Sequence, residues 1–240
     1  MPPRSKRSTA DGGGPGVALG STTPARAPAS PWTSTSDRER LRASKRDAVL
    51  RTAARVFNEK GFHATSLDEV AERLHITKPT LYYYVKNKDE ILFECVSIGL
   101  QMLEDAIQAE RSRGGRAIDQ LVAAMHSYVM IVTQDYGMCI IRVGEDPLPQ
   151  DSRRALRAFK AKLDAHFRDL VARGVEEGSI RPCDPKIAAF TLAGALSWIG
   201  RWYRPDGALT PDAIARQAID VLAGGLCTPR VAARLRVAPP

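Results

Sequence analysis

From Asp37 onward the apolar side chains return every three or four residues, and they keep that interval almost to the end of the 240-residue chain. Side chains three and four apart share one face of an α-helix, so this rhythm is that of helices laid against a core. Strands need alternation instead. No sustained alternation occurs, and no Asn-Gly or Asp-Gly pair stands between strand-like runs. The chain is expected to be all-α.

Caps and breakers divide the pattern into nine helices. The first covers about 39–60, with Val49, Leu50, Ala53, Val56 and Phe57 inward and Gly61 at its end. The second, about 66–74, opens on Ser66-x-x-Glu69, a capping box. The third, about 78–84, has Thr77 as N-cap and Pro79 in its first turn, where a missing N–H costs little. A fourth, about 88–112, buries Leu92, Cys95, Val96, Gly99, Leu103 and Ala106 and stops at Gly114-Gly115. A fifth, about 116–134, turns Leu121, Val122, Met125, Val129 and Val132 inward, and a short sixth runs from Met138 to Val143. The seventh, about 150–177, has the face Leu156, Phe159, Leu163, Phe167, Leu170. The eighth, about 184–203, is apolar nearly all round, which predicts burial on several sides. The ninth, about 211–225, follows Thr210 as N-cap and Pro211 at its first position.

The second and third helices are short and joined by Leu74-His75-Ile76-Thr77, with the first as a brace. This is a helix-turn-helix, whose second helix enters the major groove of DNA. Leu81 and Val85, four apart, face the core, and Tyr84 straddles its edge. Lys78, Pro79, Thr80, Tyr82 and Tyr83 are left outward. Lys78 can reach guanine O6 and N7, and Thr80 and the Pro79 ring can meet a thymine methyl. Tyrosine hydroxyls reach phosphates, which position a helix without reading sequence. Thr65 and Ser66 open the second helix and suit a phosphate, and Lys88 is a further phosphate candidate. The competing role for these tyrosines and lysines is packing and solvation.

Charge agrees. Of the net +8, residues 1–36 hold +3 and residues 37–90 another +3, which leaves +2 for the rest. A basic end on a nearly neutral body fits nucleic-acid binding. Residues 1–36 contain 22 Pro, Gly, Ser or Thr and read as a disordered arm, whose Arg4, Lys6 and Arg7 add phosphate attraction. The stretch lacks the apolar core of a secretory signal. The longest uncharged apolar run, Ile187 to Gly200, has 14 residues, too few to span a bilayer. Cys95, Cys139, Cys183 and Cys227 stand 44 residues apart, but their flanks share nothing, so no repeat is read. They form no metal-ligand cluster and suit a reducing cytoplasm as small apolar groups. The four histidines lack metal spacing, and neither a phosphate-cradling Gly-rich loop nor a nucleophile elbow occurs, so no enzyme, cofactor or metal is expected. A ligand-free architectural DNA binder remains as the other class, separable by its lack of sequence preference.

The stretch GFHATSLDEVAERLHITKPTLYYYVKNKDEIL, with Gly61-Phe62, Thr65-Ser66, Val70-Ala71, Lys78-Pro79-Thr80-Leu81-Tyr82 and Val85-Lys86-Asn87-Lys88, resembles the tetracycline-repressor family of bacterial transcription regulators. The resemblance implies an all-helical homodimer whose positions Thr65, Ser66, Lys78, Pro79, Thr80, Tyr82, Tyr83, Tyr84 and Lys88 face a double-stranded operator. Some members place a base-reading arginine where this chain has Leu67. The implied organisation is an arm at 1–36, a three-helix DNA-binding domain at 37–90, a six-helix effector and dimerisation domain at 91–228 and a tail at 229–240.

Such regulators usually bind a small molecule inside helices four to eight and dimerise through eight and nine. The wide side chains there, Phe93, Met102, His126, Met130, Met138, Phe159, Trp198 and Trp202, are candidates to line a cavity; each also suits plain core packing. The stretch from Trp198 to Gly207, with Leu209-Thr210-Pro211 and Leu222-Ala223-Gly224-Gly225-Leu226, resembles the branch controlling catabolism of fatty acids, sterols and aromatic acids. That resemblance implies an acyl- or aryl-CoA effector, with Arg142, Arg201 and Arg204 as cations for the CoA phosphates. Another hydrophobic or aromatic effector is the alternative. Some members of the branch carry an arginine where this chain has Gly194. Arg201 and Arg204 also suit a helix C-terminus as dipole partners. The fourth helix, shared by the two units, is expected to pass the effector signal to DNA.

Overall fold

The computed structural model describes residues 35–226; the predicted arm, apart from its last two residues, and the predicted tail lie outside them. Among the described residues the chain forms nine helices: α1 (Thr35–Lys60), α2 (Leu67–Arg73), α3 (Lys78–Tyr84), α4 (Lys88–Arg113), α5 (Ala117–Val132), α6 (Asp135–Val143), α7 (Gln150–Glu176), α8 (Pro185–Trp202) and α9 (Pro211–Leu226). The caps are those the sequence marks. Ser66 Oγ accepts from Glu69 N at 3.2 Å, Thr77 Oγ1 from Thr80 N at 3.4 Å, and Thr210 Oγ1 from Ala213 N at 3.2 Å. α1 starts earlier than expected, at Thr35, and α6 earlier, at Asp135.

The first unit closes on Val49, Leu50, Ala53, Val56 and Phe57 of α1, all buried, against Val70, Ala71, Leu81 and Val85. Lys88 then begins α4, which carries the chain into the second unit. There α5 sits at the centre, packed on α4, α6, α7, α8 and α9. α6 is pressed tightly into place. A Cβ on Gly137 would stand 2.0 Å from Ile131 O, and one on Gly99 of α4 would stand 2.9 Å from Tyr136 O. Only glycine permits those backbone approaches.

α8 corrects the expectation of burial on several sides. Ala188, Ala189, Leu192, Leu196 and Ile199 are buried, but Ile187, Phe190, Trp198 and Trp202 stand exposed on the opposite side. A helix that is apolar all round but packed on one side within its own chain leaves a free hydrophobic face. Cys95 and Cys139 are buried, and burial pushes the Cys139 thiol up to about 12. No helix among the described residues is long and apolar enough to cross a membrane.

Candidate nucleic-acid interface and effector cavity

α2 and α3 are joined by a turn that completes the end of α2. His75 takes a left-handed φ of 53°, its N–H donates to Glu72 O at 3.0 Å, and Ile76 N–H donates to Ala71 O at 3.0 Å. This is a Schellman motif with histidine where glycine is usual, and Ile76 packs on the core. It aims α3 outward. Lys78, Pro79, Thr80, Tyr82 and Tyr83 are exposed on one side of α3, while Leu81 is buried and Tyr84 half-buried. Lys78 Nζ pairs with Asp68 at 2.8 Å, a bond that holds its pKa above the ordinary lysine value. Ser66 is exposed at the start of α2.

Two expected DNA-facing residues are placed otherwise. Thr65 is only 4% exposed, and its Oγ1 donates to Gly61 O at 2.8 Å. The hydroxyl closes the turn after α1 and is not presented to a phosphate. Lys88 Nζ donates to three carbonyls, Phe62 at 2.9 Å, Thr65 at 3.1 Å and His63 at 3.3 Å, and lies 4.5 Å from the centre of the Phe62 ring. An ammonium has three protons to donate, and here the loop between α1 and α2 takes them. Lys88 is therefore a clamp. A cation that sequence reasoning missed lies nearby: the Arg42 guanidinium sits 5.2 Å from the Tyr83 ring centre. Its place beside α3 arises from packing across 41 residues, and no local signal marks it.

In the second unit a cavity of about 300 Å³ lies among α4, α5, α6, α7 and α8. Leu103, Val132, Ile140, Ile141, Leu156 and Phe159 make most of its wall apolar, and Lys160 and Asp164 add charged side chains to it. Tyr128 is buried, and its hydroxyl lies 2.7 Å from Oγ of half-buried Ser197, a polar pair in the wall. Gly137 of α6 and Gly194 of α8 also line it. Of the residues nominated from the sequence, Phe159 lines this cavity.

Six others lie away from it. Phe93 is exposed on α4 at 45% and Trp198 on α8 at 65%, so neither side chain points inward. Met102 and Met130 are half-buried and Met138 is buried, all outside the lining. His126 Nε2 lies 2.9 Å from Asp212 Oδ1 and ties α5 to α9. A side chain's size predicts burial, but which way an apolar helix turns it is set by neighbours distant in sequence.

A second, open groove of about 800 Å³ lies one turn of α8 beyond Ser197. Arg142, Arg201, Trp202 and Arg204 border it, with Asn58 and Glu59 from the end of α1. Arg142 is a strut: its Nε donates to Gly200 O at 2.8 Å, Nη1 to Asn58 O at 3.1 Å, and Nη2 to Tyr203 O. Burial, then the nearby charges of Arg201 and Arg204, lower its pKa. Three guanidiniums thus share one groove, with Arg201 and Arg204 exposed.

α6 links cavity and first unit more fully than the expected α4. Asn58 Nδ2 donates to Asp135 O at 2.9 Å, Arg55 pairs with Asp135 at 2.9 Å, and Tyr136 OH donates to Asp47 Oδ1 at 2.9 Å. α4 adds Glu94 and Glu90, both paired with Arg46 of α1.

Residues 49–95 match the family described as "Bacterial regulatory proteins, tetR family", and residues 114–226 match "Tetracyclin repressor-like, C-terminal domain". The chain is 26% identical over 198 residues to the HTH-type transcriptional repressor KstR2 of Rhodococcus jostii, covering 78% of this chain and 94% of that protein. Among solved structures it resembles AibR in complex with isovaleryl coenzyme A and operator DNA, at 29% identity and a TM-score of 0.64, over 76% of this chain and 97% of that one. A transcriptional regulator of the TetR/AcrR family from Thermobifida fusca is 30% identical over 76% of this chain and 98% of its own, with a TM-score of 0.54.

Proposed function

Since the chain belongs to the tetR family of bacterial regulatory proteins, we propose that it is a dimeric transcriptional repressor released from its operator when a CoA thioester enters the cavity between α4 and α8. It is a DNA-binding regulator and not an enzyme, and operator binding supports a cytoplasmic place of work. The observation that carries the effector reading is the adjacency of an apolar cavity and a groove holding three arginines, one helical turn apart on α8. A thioester needs both: apolar walls for the acyl part and cations for the phosphates. Arg142 is engaged as a strut, so Arg201 and Arg204 carry the phosphate contacts. AibR, whose structure holds isovaleryl coenzyme A, supports the same ligand class.

Lys78, Pro79, Thr80, Tyr82 and Tyr83 meet the major groove, Tyr84 lies at its edge, and Ser66 and Arg42 contact phosphates. Dimerisation is typical of the family. The exposed Ile187, Phe190, Trp198 and Trp202 of α8 and Val221 of α9 form the face for a second copy. The dimer sets two recognition helices about 34–36 Å apart, one turn of DNA. An acyl group against Ile140 and Ile141 bears on α6, and α6 holds α1 through Asp135, Tyr136 and Arg142. Shifting that helix respaces the two α3 helices. Release from 1:99 to 99:1 needs about 5.5 kcal/mol of differential binding.

The test is titration of matched CoA thioesters and free acids into the protein–operator complex. Thioesters are expected to release DNA, and Arg201→Ala to weaken the thioester more than the acid. Release by free acids and not by thioesters would end the CoA reading and leave a repressor responding to another hydrophobic molecule.

A further inference from the structure

At one end of the large cavity lies a small one of about 10 Å³, and Leu103, Tyr128 and Leu163 wall both. Farther along α4 and α7 from Leu103 and Leu163, Ala106, Ile107 and Phe167, with Ala124 of α5, continue the apolar wall, and three polar side chains join it. Glu110 of α4 is 3% exposed, His166 of α7 is 2% exposed, and Ser127 of α5 joins them. Ser127 Oγ donates to Glu110 Oε1 at 3.2 Å. His166 Nε2 is buried and meets no hydrogen-bond partner among the described residues. Burial, then the charge of Arg111, holds the His166 pKa below its ordinary value, which favours a neutral ring.

A cavity shaped only for a hydrocarbon would end in aliphatic side chains, because a buried polar atom without a partner destabilises the fold. This end carries a carboxylate, a hydroxyl and an imidazole with an open nitrogen. Building on the reading of the large cavity as the effector site, we infer that the effector bears a hydroxyl at its buried end, and that this hydroxyl passes between Leu103, Tyr128 and Leu163 to bond with His166 Nε2. A hydroxyl both donates and accepts, so it meets either imidazole tautomer. The small cavity has room for about one oxygen-sized group. An effector ending in methyl would leave the buried imidazole nitrogen without a partner. The effector class is thus an ω-oxygenated acyl group.

The test uses calorimetric titration of the full chain with hexanoyl, octanoyl and decanoyl chains. Each is offered plain and ω-hydroxylated, as CoA thioester and as free acid. The wild type is expected to prefer the ω-hydroxyl member of at least one length by about tenfold. His166→Leu should erase that preference while binding the plain chain at least as well, and His166→Gln should restore part of it. Equal affinity for plain and hydroxylated chains at every length would overturn the inference, leaving the nook to a trapped water. So would a preference that survives His166→Leu. If thioesters fail to bind but the acids show the His166-dependent preference, the CoA reading falls and the hydroxyl site stands. If no ligand of either series binds, both fall.

Discussion

The outward side chains of α3 come from one helix of seven residues, whereas those around the cavity come from five helices spread over some ninety residues. On α3, direction follows largely from counting: with Leu81 and Val85 inward, Pro79, Thr80, Tyr82 and Tyr83 turn outward, while Lys78, three before Leu81, is exposed because it opens the helix. Around the cavity, direction depends on which neighbour each helix leans on. Phe159 was legible because α7 is cleanly amphipathic. Trp198 was not, since α8 is apolar on both faces and only tertiary packing decides which one the chain covers. Local geometry is encoded locally, and a chamber built by distant segments is not.

The largest expected effect lies in the less legible half. Gly137 lines the cavity and also seats α6, where a Cβ would meet Ile131 O at 2.0 Å, a backbone atom that no rotamer change can move. Gly137→Ala is expected to cost about 3 kcal/mol of stability, read as a drop in denaturant midpoint at unchanged slope. Operator affinity should fall with it, because α6 holds α1 through Asp135 and Tyr136. A variant as stable as the wild type would show that α6 has slack, and the contrast between a rigid joint and a readable surface would weaken.

Two lysines ten residues apart sharpen the comparison within the first unit. Lys78 and Lys88 look alike in the sequence, each at the first position of a helix. The structure separates them: Lys78 pairs with exposed Asp68, while Lys88 binds carbonyls 23 to 26 residues away. Even here a role made by distant partners escaped the sequence, as did Arg42 beside Tyr83. Lys78→Ala is expected to cost about 1–3 kcal/mol at its preferred base pair and relax selectivity there, with fold stability unchanged. Lys88→Ala should instead lower fold stability by about 1–3 kcal/mol, since it strips partners from partly buried carbonyls. Its salt slope of DNA binding should stay that of the wild type. Operator binding across a salt series, paired with urea unfolding, distinguishes the two. A reduced salt slope for Lys88→Ala at native stability would return it to the phosphate-contacting set.

The smallest effect tests how far local sequence dictates local geometry. His75 ends α2 in a left-handed conformation, φ 53°, inside a complete Schellman motif, and its side chain is exposed. A Cβ at that φ crowds the backbone, a strain that glycine lacks. Glycine also gives the unfolded chain more freedom, which offsets part of the gain. The difference is expected to leave His75→Gly more stable by about 0.5–1 kcal/mol. Its thermal midpoint should rise, and DNA selectivity should hold, because the bonds from His75 N and Ile76 N that aim α3 use backbone atoms alone. Loss of selectivity in a stabilised variant would mean that the imidazole itself touches DNA, and the turn would then join α3 as part of the recognition surface.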